Sequence, residues 1–271
     1  MKEFSQIQNE AIKDLLYRIA DDDLVLGHRN SEWTGIGPIL EEDIAFSSMA
    51  QDKLGYAQAI YTILNEMGEA DPDTLAFNRG AGVSEKIVSE NGESEDLFKC
   101  CHFVEYPIGE YDFSLMRHFL FDYAEAVRYE MLMHSTFEPL ANLAKKFRGE
   151  IRYHVMHAHT WIKQLGQGSE ESKARMQSAL NECFPLALGI FEPSQYEDAL
   201  IEAGVFPGED KLREEWLNQI IPVIKEAGLE MPDVDNIEAV YGGRKGFHTE
   251  YLKPMLDEMT EVYRIDPSAE W

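Results

Sequence analysis

Four ionisable side chains interrupt four otherwise apolar helical stripes. Residues three and four apart share one face of a helix. Traced that way, Ile12, Leu16, Ile19, Asp23 and Leu26 form an apolar line broken by Asp23. Phe46, Met49, Lys53, Tyr56 and Ile60 form one broken by Lys53. Leu115, Phe119, Asp122, Ala126 and Tyr129 carry Asp122, and Phe147, Ile151, His154, Ala158, Trp161 and Leu165 carry His154. A buried charge without a partner costs several kcal/mol. Two carboxylates, an ammonium and an imidazole nearly neutralise one another. Any one of them alone reads most simply as a satisfied core group. Four at mid-helix point to a shared polar centre.

Such a centre in a helical bundle suggests a carboxylate-bridged metal pair. A di-iron bundle takes a Glu from each of two helices and a Glu-x-x-His motif from each of the other two. None of the eight histidines has an acid three residues earlier. His134 and His154 follow Glu130 and Glu150 by four, which shares a face but is not that motif. The pattern suits the architecture and not the ligand set.

The elements that must position these residues read as helices. The periodicity predicts helices over 9–27, 39–67, 113–137 (stopped before Pro139) and 150–165. A fifth is predicted over 169–191, with Ser169 as N-cap ahead of Glu170 and Glu171. Shorter helices are expected over 195–203, over 209–227 (with a kink at Pro222) and over 248–264. Residues 30–38 hold Gly35, Gly37 and Pro38 and read as a loop. Residues 68–112, with the acidic run Glu93, Ser94, Glu95 and Asp96, lack periodicity. One long connection is what a ferritin-like bundle requires. The fold expected is therefore all-α: a four-helix bundle over about 9–165 with a long crossover and additional C-terminal helices over about 169–264, in a single domain.

Composition narrows the function. The 271 residues hold 50 Asp+Glu against 24 Lys+Arg, a formal charge of −26. Phosphate neutralisation needs a basic footprint, so nucleic acid and anionic membranes are excluded as bulk electrostatic partners. No apolar run reaches the roughly 18 residues of a membrane span. The three cysteines, two of them adjacent, make a poor disulfide framework. A cytoplasmic protein is expected.

Longer segments then carry a resemblance. Leu24-Val25-Leu26-Gly27-His28-Arg29-Asn30-Ser31-Glu32-Trp33, Gly37-Pro38, Leu40-Glu41-Glu42-Asp43-Ile44-Ala45 and Ala50-Gln51-Asp52 with Leu54-Gly55 are the first. Asp73-Thr74-Leu75-Ala76-Phe77, Arg152-Tyr153-His154, Leu165-Gly166 with Gly168 and Ser172, the block Gly242 to Glu250 and the terminal Trp271 follow. Together they resemble the PaaC-type subunits of phenylacetyl-CoA monooxygenases, the ring 1,2-epoxidases of aerobic phenylacetate degradation. The resemblance implies a ferritin-like structural subunit without a cofactor of its own, paired with a related catalytic subunit. That partner holds the di-iron centre and epoxidises the ring with O2. A reductase delivers electrons from NADPH, and a small accessory subunit completes the assembly. A homodimer of the chain is left open.

Set beside the catalytic subunit's pattern, the six ligand positions fall at Asp23, Lys53, Tyr56, Asp122, Ile151 and His154. Three keep a donor that iron accepts and three do not, so no metal is expected there. Lys53 is read as taking the metal's place by bridging Asp23, Asp122 or both. The alternative is a chain that is itself a carboxylate-bridged oxygenase. A free-standing helical store is disfavoured by the extent of the resemblance.

Other features take plainer readings. His154, Ala158 and Trp161 are expected in the core, and Tyr153, His157 and His159 at the surface or an interface. Gly242-Gly243-Arg244-Lys245-Gly246 lacks the spacing of a phosphate loop and reads as a turn before the last helix. Lys145, Lys146, Arg148 and Arg152 read as a solvated helix end.

Overall fold

Ser5 and Gln8 start the first helix. Each side chain bonds the other's backbone N–H (3.3 Å to Ser5 Oγ, 3.0 Å to Gln8 Oε1), a capping box that satisfies two donors left over at a helix start. Helix α1 spans Gln6–Ser31 and α2 spans Leu40–Glu66. The first runs past Gly27, where the sequence pattern ended it. Gly27 is a packing residue rather than a stop: a Cβ there would lie 3.1–3.2 Å from Leu54 and from the Ala50 carbonyl of α2. The computed structural model describes residues 2–79, 98–234, 236–266 and 269. The acidic run at 93–96 and Trp271 lie outside the described residues.

The crossover carries a π turn, Thr74–Asn78, and the one-turn helix α3, His102–Glu105. Its final part is buried through Phe98, Cys100, Cys101, Phe103, Val104 and Glu105. Helix α4 covers Tyr111–Leu132, and α5 covers Glu138–Gly166. Here the sequence reading is corrected. The last long helix of the bundle begins twelve residues before the expected position 150. Pro139 sits in its first turn, where a missing N–H costs nothing and the fixed φ suits a helix. Leu140, Ala141, Ala144 and Phe147 then continue the buried stripe.

Helix α6, Glu170–Leu188, is capped as expected by Ser169, whose hydroxyl accepts from Ser172 N. It is followed by α7, Glu197–Ala203, then α8, Glu209–Glu226, and α9, Leu252–Thr260. The last is shorter than the 248–264 expected, because His248 and Thr249 are engaged in tertiary hydrogen bonds to Phe98 and Glu105. The glycine-rich block does form a turn. Gly242 and Gly246 take positive φ (136° and 80°), and Arg244 is buried on Asp22 at 2.7 and 2.8 Å. Lys145, Lys146, Arg148 and Arg152 of α5 are exposed.

Among the described residues there is no strand. The architecture is a ferritin-like bundle of α1, α2, α4 and α5 with a long crossover and further C-terminal helices. A large buried apolar cluster runs from Ala11 to Met255, and a second, smaller one joins Trp33, Ala45, Phe46 and Met49. No helix among the described residues is long and apolar enough to cross a membrane.

Candidate functional site

The four stripes deliver Asp23, Lys53, Asp122 and His154 into the interior, each at most 1% exposed. Phe46, Met49, Tyr56 and Ile60, which flank Lys53 along α2, are buried with it, so the ammonium has no route to water. It turns to carboxylates instead. Lys53 Nζ lies 2.5 Å from Glu125 Oε2, 2.8 Å from Asp122 Oδ1 and 3.8 Å from Asp23 Oδ1. It also sits 4.9 Å from the centroid of the Phe121 ring, close enough for a cation–π contribution.

Histidines surround this centre. His118 Nδ1 is in close contact with Asp122 Oδ2. His118 Nε2 is 3.1 Å from His157 Nδ1, and His157 Nε2 is 3.0–3.1 Å from both oxygens of Glu42. Tyr111 donates its hydroxyl to Glu42 at 2.5 Å. A polar chain therefore runs from Lys53 through Asp122, His118 and His157 to Glu42. On the other side His154 Nε2 donates to Asp52 Oδ2 at 3.0 Å, which leaves Nδ1 buried without a hydrogen-bond partner. Single ligand atoms of Asp122, Glu125 and His154 lie within 4.8 Å of one another.

Charge is settled locally. Burial opposes the charged form of Lys53, but Asp122, Glu125 and Asp23 outweigh it and hold the ammonium above its ordinary range. Burial alone would raise Asp122. Lys53 and His118 overcome that and hold its carboxyl well below the usual carboxylate range. Asp23 goes the other way: burial and then the neighbouring Glu125 raise it well above that range, against the pull of Lys53. His118 is pushed down by burial, which favours the neutral ring donating from Nδ1. Burial, followed by Glu125, raises the Tyr56 phenol and keeps it protonated.

The structure brings together four of the six positions singled out from sequence: Asp23, Lys53, Asp122 and His154. Tyr56 is adjacent, its ring 6.3 Å from that of His154, with its hydroxyl buried and unbonded. Ile151 is buried and offers no donor. Lys53 reaches both aspartates, but its shortest contact is to a residue the sequence pattern passed over. Glu125 stands three residues after Asp122, on the same face, whereas the traced stripe stepped four to Ala126. His118 was missed likewise, one turn before Asp122. His157 is a correction: its side chain is only 9% exposed and links Glu42 to His118, because the face it occupies is covered by α2 and α4.

These residues do not fit a di-iron centre. Such a centre needs about four carboxylates and two imidazoles converging on the metals. Here an ammonium occupies the point of convergence, and a phenol and an isoleucine stand at two of the positions expected to carry ligands. Of the three acids within reach, Asp122 and Glu125 are already paired with that ammonium, and Asp23 is held toward its protonated form. What the arrangement can do is tie α1, α2 and α4 together through Lys53.

The chain is 34% identical over 257 residues to the C-type component of the 1,2-phenylacetyl-CoA epoxidase of Escherichia coli (strain K12), covering 94% of this chain and 96% of that one. It is 22% identical over 209 residues to the A-type component of the same organism's epoxidase, covering 75% of this chain and 62% of that one. A family described as "Phenylacetic acid catabolic protein" matches residues 2–271. The match spans nearly every residue, and the chain belongs to this phenylacetic acid catabolic protein family.

Proposed function

We propose that the chain is a non-catalytic subunit of a multicomponent oxygenase that epoxidises the ring of phenylacetyl-CoA. In this reading it scaffolds a homologous catalytic partner, which holds the di-iron centre, while a reductase supplies electrons from NADPH and a small accessory protein completes the cytoplasmic complex. The observation that carries it is the position of Lys53 Nζ among Asp122, Glu125 and Asp23. The likeness to the C-type and A-type components of one epoxidase supports membership of such a complex.

The chain's own residues then act as a rigid support. Asp23 on α1, Lys53 on α2 and Asp122 with Glu125 on α4 tie three helices at mid-height. His154 on α5 is anchored to α2 through Asp52. The ion pairs do what metal ligation does for a bundle, fixing helix register, without binding O2 or carrying electrons.

Two measurements test this. Elemental analysis of the purified chain should find no stoichiometric iron, and the epoxidase reaction should need this chain together with its catalytic partner. Two irons per chain, or turnover by this chain with only a reductase, overturns the reading in favour of a catalytic di-iron oxygenase.

A further inference from the structure

Outside the bundle centre, three side chains of different chemistry converge where the end of the crossover meets the C-terminal glycine-rich block. His248 Nδ1 is 2.7 Å from Glu105 Oε1. Cys100 Sγ is 3.6 Å from that oxygen and 3.9 Å from His248 Nδ1. Cys100 and Glu105 are fully buried, and the His248 side chain is 4% exposed. Nothing in the function above uses them. We propose that Cys100 Sγ, Glu105 Oε1 and His248 Nδ1 hold one zinc ion, with a water in the fourth position.

The donor set selects the metal. A thiolate excludes magnesium and calcium, which take oxygen ligands, and zinc accepts sulfur, nitrogen and oxygen together. Zinc–ligand bonds of about 2.0–2.3 Å at tetrahedral angles put ligand atoms roughly 3.4–3.6 Å apart. The two edges that involve sulfur already measure 3.6 and 3.9 Å. Only the His248–Glu105 edge must open, by about 0.7 Å, as its hydrogen bond gives way to the ion.

The surroundings orient two of the three ligands. His248 Nε2 donates to the Phe98 carbonyl at 2.9 Å, which presents Nδ1 to the other two residues. Metal-bound histidines are commonly fixed this way. The second oxygen of Glu105 accepts from Thr249 N at 2.7 Å and from Thr249 Oγ1 at 2.6 Å, leaving Oε1 for the site. Two other acids lie close by: Asp21 is paired with Arg79, and Asp22 with Arg244. Binding exchanges two protons, from the Cys100 thiol and from Nδ1 of the imidazolium, for one dication. The buried site is electrically neutral before and after. The ion lies outside the bundle and adds a metal that the cofactor-free reading of the sequence did not include.

The full-length chain, stripped with a chelator, is titrated with Co2+ as a spectroscopic substitute and with Zn2+ against a chromophoric chelator. One equivalent should bind, with an intense sulfur-to-cobalt charge-transfer band. Cys100→Ser should abolish the band. His248→Gln should weaken zinc binding roughly tenfold or more. Gly55→Ala, on α2 where an added Cβ meets nothing within 4 Å, should leave the band in place. A wild-type chain with no such band, or a band that survives Cys100→Ser, overturns the proposal. If the Cys100 variant does not fold, the wild-type band and its removal by chelator decide the matter.

Discussion

Lys53 Nζ on α2 lies 2.5 Å from Glu125 Oε2 on α4, and both side chains are buried. Removing one partner of a buried ion pair typically costs about 3–5 kcal/mol, because the remaining charge is left without compensation. Lys53→Met therefore should lower the melting temperature by on the order of 10 °C for a chain of this size. Calorimetry of the two proteins checks this. An unchanged melting temperature would mean that the cluster holds nothing together.

The two aspartates should respond to pH in opposite senses. Folded Asp122 resists protonation, so its contribution is present above the unfolded pKa of about 3.9 and is lost as pH falls through its depressed folded value. Folded Asp23 keeps a proton that the unfolded chain has released, so its contribution shrinks as pH rises above about 3.9. Lys53, held high, contributes fully below about 10.4 and loses its effect only as pH rises through its folded value. Asp122→Asn should cost about 3–5 kcal/mol at pH 7. Asp23→Asn mimics the protonated group, so it should cost little and flatten the fall in stability from pH 5 to 7. Urea midpoints at the two pH values measure both. A large loss from Asp23→Asn at pH 7 would contradict the proton assigned to that carboxyl.

The centre was legible where a charge broke a clean apolar stripe, as at Asp23, Lys53 and Asp122. It was not legible where two polar residues shared a face. Glu125 and His118 flank Asp122 at three and four residues, and only the packing of α4 against α2 and α5 shows that both point inward. His157 read as a surface or interface residue because it falls off the stripe traced through His154, Ala158 and Trp161. The long crossover was read from its missing periodicity. The start of α5 was misread because Pro139 ends one helix and opens the next with equal ease, a choice that tertiary burial of Leu140 and Ala144 decides.

Two glycines separate open space from close approach. A Cβ at Gly55, inside α2, meets nothing within 4 Å. Gly55→Ala should stabilise the free chain by about 0.5–1 kcal/mol through lost backbone freedom in the unfolded state. Gly55 also lines a groove of about 620 Å3 between α2 and α5. A Cβ at Gly243 would lie 2.2 Å from the Cys100 carbonyl oxygen, a backbone atom that cannot step aside alone. Gly243→Ala should therefore destabilise by about 1–3 kcal/mol. Thermal melts of the two variants should move in opposite directions. A stabilised Gly243→Ala would show that the C-terminal block does not pack on the crossover as described.

Placing the ligand types of a di-iron centre at Lys53, Tyr56 and Ile151 tests whether the centre is a metal site closed by charge. Lys53→Glu, Tyr56→His and Ile151→Glu together replace the ammonium, the phenol and the isoleucine. Asp23, Asp122, Glu125 and His154 remain in place, and Asp52 already orients His154 from Nε2 so that Nδ1 faces the interior. The triple variant gains two carboxylates and an imidazole while losing the buried cation that repels Fe2+. It should retain iron through gel filtration where the wild-type chain does not, and added Fe2+ should raise its melting temperature, because an ion that binds only the folded state stabilises it. Lys53→Glu alone should do neither and should melt lowest of the set, since it gathers a fourth acid without a counter-charge. If the triple variant folds yet takes up no more iron than the wild type, the six positions are not a vestigial ligand set, and the lysine-centred cluster is then a core feature unrelated to metal.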